Sequence, residues 1–237
     1  MPFATSGAGV RVAVIDSGVH PAHDHIDAGK LAPGVAIASD GTLDDAPEAS
    51  LDRLGHGTAV TAAIQEKAPG ATCIPIRVFH DSLRTSAYAL ISAIDWAADQ
   101  GAQIINLSLG STNAAHASAF AAAIARASAA GAMIVAPRTV GEAPSYPGAL
   151  EGVIAVDLDW DCPRETYRVD ASVPPVFYAS GYPRAIPGVA MRRNIHGISF
   201  ATAQMSGFAA CALEATGMPG PGIDGLRTAL GKALDDA

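Results

Sequence analysis

The amino-acid sequence predicts an α/β protein with a doubly wound, mostly parallel β-sheet and helices on both faces. Three observations support this prediction. Continuous apolar runs, such as residues 12–15 and 104–107, are typical of strands buried on both sides. Segments of helical periodicity separate these runs, as over residues 83–100, which stop at Gly101. Repeated units of strand, helix and strand build parallel sheets.

In the first half of the chain, apolar runs between turn residues predict strands, and a polar, acidic stretch predicts a loop. A helix is predicted from His56 to about residue 67, because Pro69 and Gly70 stop it. The strands cover residues 12–15, 35–39, 72–79 and 103–110, the last ending in a glycine turn, and the loop covers residues 40–54.

In the second half, an alanine-rich sequence predicts one helix, and the apolar segment that follows Ser199 predicts another, which ends near Thr216. Residues 160–168 have the pattern of a hairpin excursion. The remaining elements are a helix over 114–130, strands over 132–136 and 152–157, and a short closing helix over 222–237.

Composition limits the function classes. The chain has 237 residues, 49% of them hydrophobic and 16% charged, which suits one compact domain over residues 1–237 and excludes a disordered chain. A net charge of -8 argues against a nucleic-acid partner and an anionic membrane surface. No apolar run is long enough to span a membrane, so we expect no membrane association.

A serine, a histidine and an aspartate each stand at the end of a predicted element. Ser199 opens an alanine-rich helix, where unpaired N–H groups and partial positive charge surround its hydroxyl. Serine is also a common helix cap, so Ser199 alone indicates little. Asp16 ends a buried strand and His56 begins a helix. Together the three residues predict a nucleophile, a base, and an acid that orients the base.

These three segments resemble the motifs of the subtilisin-like serine proteases, or subtilases, which carry Asp, His and Ser in this order. The resemblance extends from about residue 10 to residue 214. It implies a three-layer fold and one catalytic domain. It also implies serine peptidase activity in which Asp16 orients His56, and His56 takes a proton from Ser199.

The resemblance also implies where a substrate binds. In subtilases a Ser-Leu-Gly stretch pairs with an extended peptide, and here that stretch is Ser108, Leu109 and Gly110. We expect the neighbouring Leu107 to lie in the core. The partner is then a peptide or protein substrate, and we expect no cofactor.

The chain departs from the family pattern where subtilases carry an oxyanion asparagine. After the strand over 132–136 it reads Pro137-Arg138-Thr139, without an asparagine. Loss of that donor costs about 10²–10³ in kcat, so we expect a slow or specialised protease. Arg138 is the first candidate for a replacement because a charged guanidinium reaches far, although a surface salt bridge is an equal alternative. The other candidates are Thr139, Asn194 and His196.

Further departures lie at the nucleophile. Ile198 and Phe200 replace residues that are usual in subtilases, and Gln204 stands without the proline that usually follows it. We expect Phe200 to face the core, and both Ile198 and Phe200 to narrow the pocket or alter how the helix packs.

Three histidines and two carboxylates crowd residues 20–27, a group that could bind zinc. Their spacing matches no common ligand pattern, so we expect a solvated loop and no metal there. The helix that starts at His56 leads directly into the next strand, which leaves no room for a loop that helps hold calcium in many secreted subtilases. We therefore expect that calcium site to be missing.

The cysteines indicate a reducing compartment. Cys73, Cys162 and Cys211 form no close pair in the sequence and leave one over. The first residues lack the features of a signal peptide. We therefore expect a cytoplasmic protein.

The leading hypothesis is a slow serine endopeptidase that processes an extended peptide, with a possible relation to subtilases that act on modified peptides. The alternative is a pseudoprotease whose groove binds a peptide or a protein partner without cleaving it. An esterase or a peptide ligase that uses the same acyl-enzyme stays open.

Overall fold

The computed structural model describes residues 1–170, 172–217 and 222–235. The helices are α1 (His56–Lys67), α2 (Ala87–Asp99), α3 (Ala117–Ala129), α4 (Ile198–Thr216) and α5 (Gly222–Asp235). The strands are β1 (Arg11–Asp16), β2 (Val35–Ile37), β3 (Leu43–Asp44), β4 (Thr72–Arg77), β5 (Ile104–Leu107), β6 (Met133–Pro137), β7 (Thr139–Val140), β8 (Ala143–Pro144), β9 (Val153–Leu158), β10 (Arg168–Val169) and β11 (Val176–Ala179).

Nine of these strands form one sheet in the described residues, in the order β10-β11-β9-β6-β5-β1-β4-β2-β3. The pairs inside the sheet are parallel, and the outermost pair at each edge is antiparallel. Strands β7 and β8 form a separate small hairpin. The predicted fold class, a mostly parallel α/β sheet, is confirmed.

Helices cover both faces of the sheet, as the side chains of β1 show. Val12 and Val14 point into a core that includes α1, α4 and α5, whereas Ala13 and Ile15 point into a second core that includes α2 and α3. Alternation along a strand sends successive side chains to opposite faces, so a central strand with two buried faces is apolar throughout. Three layers result.

Helix α4 is the most deeply buried of the helices, and small residues let it approach α1. A Cβ atom added at Gly207 would lie 2.6 Å from Cβ of Lys67 and 3.1 Å from the carbonyl oxygen of Ile64. A larger side chain at this crossing would push the two helices apart. Gly207 therefore fixes the spacing between the helices that begin at His56 and Ile198.

The N-terminal segment is tied to the other end of α4. The backbone N–H groups of Ser6 and Ala8 both donate to one carboxylate oxygen of Glu214, each at 2.8 Å. The Thr5 hydroxyl donates to the carbonyl oxygen of Cys211 at 2.7 Å. These bonds close the fold between residues about 200 positions apart in the sequence.

Several predicted boundaries are wrong. The helix predicted over 83–100 begins at Ala87, because the side chain of Ser86 caps it by accepting a hydrogen bond from the N–H of Ala89 at 2.9 Å. Residues 160–168 are not a hairpin of their own, because β10 begins only at their last residue, Arg168, and its antiparallel partner β11 lies beyond them. The loop predicted over 40–54 contains the short edge strand β3.

Other predictions agree more closely with the structure. Helix α1 spans the predicted residues, and α4 ends at Thr216 as expected. The predicted closing helix is α5, although residues 236–237 lie outside the described part. The helix predicted over 114–130 begins as a short 3₁₀ turn that the Asn113 side chain caps, and α3 follows. In the part of the chain that the structure describes, no helix has the length and apolarity needed to cross a bilayer.

Candidate active site

Asp16 and His56 form a hydrogen-bonded pair at the carboxyl edge of the sheet. Asp16 is the last residue of β1, its side chain is fully buried, and its Oδ1 atom lies 2.7 Å from Nδ1 of His56. His56 is the first residue of α1. Gly57 brings α1 against the turn after β1, because a Cβ there would lie 2.2 Å from the carbonyl oxygen of Gly18. The glycines of both motifs thus allow the pair to form.

Asp52 holds the start of α1 in place, and sequence reasoning missed this residue inside an acidic loop. Its two carboxylate oxygens accept hydrogen bonds from the hydroxyls of Ser17 and Thr58 and from the backbone N–H groups of Leu54, Gly55 and Thr58. These bonds satisfy N–H groups that a helix start leaves open. A carboxylate two to six residues before several such donors is a signal that can be sought in a sequence.

The environment of His56 favours its protonated form. Burial alone would lower the pKa of His56, but its hydrogen bond to Asp16 and the charges of Asp16 and Asp52 outweigh burial and raise that pKa above the usual 6.5. A carboxylate can only accept hydrogen bonds, so Nδ1 of His56 carries a proton in this pair. Nε2 is then the atom that is free to accept one.

Ser199 lies at the second residue of α4, on the same side of the sheet as α1. Gly197 is the residue that precedes the helix, and the Ser199 hydroxyl does not cap it. The hydroxyl instead donates to the carbonyl oxygen of Ser108 at 3.2 Å. The next residue, Phe200, is buried as expected, and its ring centroid lies 5.9 Å from that of His56. The structure thus places Ser199 one residue from a direct contact of His56.

The predicted substrate-binding stretch follows β5 directly. Ser108 is buried, and its hydroxyl accepts a hydrogen bond from the Asn106 amide at 2.9 Å, while the Asn106 oxygen accepts one from Ser206 of α4 at 3.0 Å. Leu107 is fully buried in the core, as expected. A buried polar network of this kind fixes the orientation of the residues it joins.

Leu109 and Gly110 line a cavity of about 750 Å³, whose wall is continued by α2 and the residues before it. The cavity presents apolar side chains, among them Leu83 and Tyr88, which are 52% and 61% exposed. An open apolar cavity next to a strand end can take an apolar side chain of a bound peptide.

The oxyanion candidates Arg138 and Thr139 both bond to Asp157. The Arg138 guanidinium donates to one carboxylate oxygen through Nε at 2.7 Å and through Nη2, and the Thr139 hydroxyl donates to the other oxygen at 2.9 Å. Arg138 therefore forms a salt bridge with Asp157, which was the alternative to a role as an oxyanion donor, and its side chain is 43% exposed. Hydrogen bonding to Asp157 raises the pKa of Arg138.

Asn194, another oxyanion candidate, lies elsewhere. Its side-chain oxygen accepts from the N–H of Ile195 at 2.9 Å, and its backbone oxygen bonds to the His196 ring at 2.9 Å. Asn194 lines a cavity beside His20 and Thr58. The His196 ring packs against Trp160, with centroids 5.6 Å apart.

Gln204 has a role that the sequence did not reveal. Its amide nitrogen donates to the carbonyl oxygens of Ser180 at 2.7 Å and Tyr182 at 3.2 Å. Gln204 therefore ties α4 to the segment that follows β11.

The histidines of residues 20–27 do not form a metal centre with their neighbours. Among the described residues, no group of three or more His, Cys, Asp or Glu side chains is arranged to hold a metal ion. The rings of His23 and His25 meet edge to face, with centroids 5.3 Å apart.

A mostly parallel sheet between two helical layers, with an acid and a base joined at its carboxyl edge and a serine in the first turn of α4, is the arrangement expected of an α/β serine protease. Comparison with known proteins identifies the family. The model of the Subtilase family matches residues 7–158, and the chain belongs to that family.

Individual relatives agree with this assignment. The chain is 29% identical over 221 residues to Thermitase from Thermoactinomyces vulgaris, a match covering 86% of this chain and 74% of that protein. It is 27% identical over 233 residues to Subtilisin DY from Bacillus licheniformis, covering 88% and 78%.

Solved structures agree in fold. Sphericase superposes with a TM-score of 0.73 at 26% identity over 95% of this chain and 83% of that one. A lanthipeptide protease superposes with a TM-score of 0.70 at 18% identity over 94% and 80% of the two chains. The chain therefore has the fold of a subtilisin-like serine protease, and its family membership indicates serine protease function.

Proposed function

We propose that the chain is a serine endopeptidase that cleaves an extended peptide through an acyl-enzyme, with Asp16, His56 and Ser199 as its catalytic triad. The observation that carries this proposal is the 2.7 Å bond between His56 Nδ1 and Asp16 Oδ1 beside the start of α4. The Asp16 carboxylate fixes the tautomer of His56 and stabilises the imidazolium that forms.

In this mechanism the Ser199 hydroxyl turns from the Ser108 carbonyl toward Nε2 of His56, which removes its proton. The Ser199 oxygen bonds to the carbonyl carbon of the substrate, and the protonated His56 then gives its proton to the departing amine as the carbon–nitrogen bond breaks. A water molecule, deprotonated by the same imidazole, hydrolyses the ester and restores Ser199. No cofactor takes part.

The substrate pairs with Ser108, Leu109 and Gly110 in this proposal, and the cavity lined by Leu109 takes one of its side chains. The N–H of Ser199 is one oxyanion donor. Arg138 is the first candidate for a second donor, and its Nη1 is the atom not bonded to Asp157. To act as the second donor, the Thr139 hydroxyl would have to break its hydrogen bond to Asp157. The Asn194 side chain would have to turn away from the cavity that it lines.

A slow, specialised processing role fits this site better than bulk digestion. The sequence around Arg138 has no asparagine, and both candidates there are already bonded to Asp157. A ribosomally made, modified peptide is the substrate class suggested by the likeness to a lanthipeptide protease. Three buried free cysteines support a reducing, cytoplasmic location.

A pseudoprotease that binds a peptide without cleaving it is the second candidate. The engagement of Arg138 and Thr139 by Asp157 favours it, because a second oxyanion donor then needs a rearrangement. The intact pair of Asp16 and His56 favours the enzyme, since a binding groove needs no acid–base pair.

Labelling with a fluorophosphonate probe distinguishes the two functions. We expect the probe to modify Ser199 in the native protein, and the label to disappear in Ser199→Ala and His56→Ala. The exposed Ser172, on a loop near β10, provides the control variant Ser172→Ala, which should label normally. Absence of labelling in a folded protein over a wide pH range would favour the pseudoprotease.

A further inference from the structure

A cavity of about 370 Å³ lies between the loop after β1, the start of α1 and the segment before α4. It shares no lining residue with the cavity beside Leu109 and Gly110. Polar or charged side chains and apolar side chains both line it, and Pro183, Ile186 and Ile195 are among the apolar ones.

The charges around this cavity are mostly positive, in a chain whose net charge is -8. Arg53 and Arg184 line it together with three imidazoles, those of His20, His23 and His25. The one carboxylate in its wall is Asp52, whose oxygens already accept five hydrogen bonds from its own loop and from α1. That carboxylate is therefore occupied, while the two guanidinium groups remain as donors.

Arg184 is held in place for such a role. Its Nη1 donates to the carbonyl oxygen of His25 at 2.9 Å, and the residue is half-buried. The Glu66 carboxylate bonds to Arg164 and Lys67, and it lines a neighbouring cavity together with Arg184 and His25. Asp24, which is exposed, stands next to His25 in sequence but is not part of the wall. A fixed guanidinium binds a carboxylate with more specificity than a mobile one.

The position of the cavity relates it to the reacting bond. Gly55 in its wall precedes His56 directly, and Asn194 and Ile195 precede the helix that carries Ser199 by a few residues. An extended peptide advances about 3.3 Å per residue, so a chain bound at Ser199 brings neighbouring side chains within reach of both cavities.

We infer that this cavity binds an aspartate or glutamate side chain of the peptide substrate, within about three residues of the cleaved bond, on the side away from the segment paired with Ser108–Gly110. This inference rests on the proposed peptidase function. Arg53 and Arg184 would make the enzyme prefer peptides with an acidic residue at this position, whereas the Leu109 cavity accepts an apolar side chain.

A pool of random peptides, analysed by mass spectrometry after digestion, reveals the positions at which acidic residues are enriched. Matched peptides with glutamate or glutamine at the enriched position then measure the preference. We expect kcat/KM to favour glutamate by about tenfold or more, the size expected of a charge-assisted hydrogen bond. Arg184→Gln and Arg53→Gln should each remove most of this preference, and Arg184→Lys should restore part of it.

Arg193→Gln is the matched control, because Arg193 is exposed on the same segment but does not line the cavity. It should leave the preference unchanged. Cleavage without any preference for glutamate would overturn the inference and leave the peptidase proposal standing. If neither cleavage nor labelling of Ser199 occurs, the peptidase proposal fails, and binding of the two peptides to Ser199→Ala decides the inference: equal affinities overturn it, and tighter binding of the glutamate peptide supports it.

Discussion

One oxygen of the Asp16 carboxylate, Oδ1, accepts hydrogen bonds both from Nδ1 of His56 at 2.7 Å and from the N–H of Ser17 at 2.8 Å. The other oxygen is buried without a hydrogen-bond partner among the described residues. The carboxylate is thus held at the end of β1 by its own backbone as well as by the imidazole. The orientation of the imidazole therefore depends on β1, an interior strand that pairs with β5 and β4.

Asp16→Asn should inactivate the protein without unfolding it. An asparagine amide presents N–H to the ring and favours the tautomer with the proton on Nε2, which cannot act as a base. We expect kcat for a peptide substrate to fall about 10⁴-fold. Asp44→Asn, at an exposed edge strand, is the control and should keep full activity. Retention of more than a tenth of kcat in Asp16→Asn would contradict the triad.

The pH dependence of kcat/KM should follow the raised pKa of His56. A general base must be unprotonated, so activity should be lost as the pH falls through that pKa, and the midpoint should lie above 6.5. The linked effect on stability has the opposite sign: protonated His56 stabilises the fold fully below 6.5, and this contribution is lost as the pH rises through the raised pKa. A kinetic midpoint at or below pH 6.5 would show that Asp16 and Asp52 do not raise the pKa of His56.

Asp52→Ala should destabilise the fold markedly, because it leaves several donors at the start of α1 without a partner. We expect a loss of about 2–4 kcal/mol in the free energy of unfolding by urea. The exposed Asp45→Ala is the control and should change stability by less than about 0.5 kcal/mol.

The pH dependence of this effect provides a second check. Although burial opposes it, hydrogen bonding from Thr58, Leu54 and Gly55 lowers the pKa of Asp52 below the usual 3.8. The stability that Asp52 contributes is therefore present above 3.8 and lost as the pH falls through the lowered pKa. Equal stability of Asp52→Ala and the native chain at neutral pH would refute this role.

Gly110→Ala should block substrate binding. A Cβ at this position would lie 2.3 Å from the Ser145 hydroxyl and 2.5 Å from the backbone oxygen of Tyr146, so the strand end must shift. We expect kcat/KM for peptides to fall at least about tenfold, the result of roughly a 1 Å displacement of the binding strand. Gly231→Ala, at an open position in α5, should leave activity unchanged and keep or raise Tm. Equal kcat/KM in both variants would exclude Ser108–Gly110 from substrate binding.

The three cysteines should resist thiol reagents in the folded protein. Burial raises the pKa of Cys73 to about 12 and that of Cys211 to about 11, and burial together with Asp159 raises the pKa of Cys162. Because the thiolate is the reactive form, an aromatic disulfide reagent at pH 8 should modify almost none of them until urea is added. Rapid reaction of one thiol in the native protein would show that its segment opens.

The sequence predicted the sheet and the main elements of the site because these depend on local patterns. Apolar runs such as β1 and β5 are recognisable without tertiary information; Asp16 ends β1, and His56 begins the predicted helix α1. The start of α2 was predicted too early, since Leu83 continues the apolar period but Ser86 competes as a cap. The apolar period and the capping residue place the start of α2 at different positions, and only the folded structure decides between them.

The roles of Gln204 and Asn106 could not be predicted, because they bond to residues on other elements. Asp52 was missed although four of its five hydrogen bonds come from Leu54, Gly55 and Thr58. Asp52 looked like part of a solvated loop, and the bond from Arg138 to Asp157 spans 19 positions of sequence. Whether a charged side chain meets a ligand or another side chain depends on strand order, which periodicity does not encode. The small hairpin of β7 and β8 was missed for a different reason: each strand has two residues, too few to show an alternating pattern.

The bonds from the N–H groups of Ser6 and Ala8 to Glu214 join residues 208 and 206 positions apart. A ribosome must therefore synthesise the chain as far as residue 214 before the first segment can settle, and contacts between such distant residues form slowly. In the proposed triad, Ser199 also leaves the ribosome after Asp16 and His56. On that proposal, a nascent chain that ends before α4 would cleave no peptide.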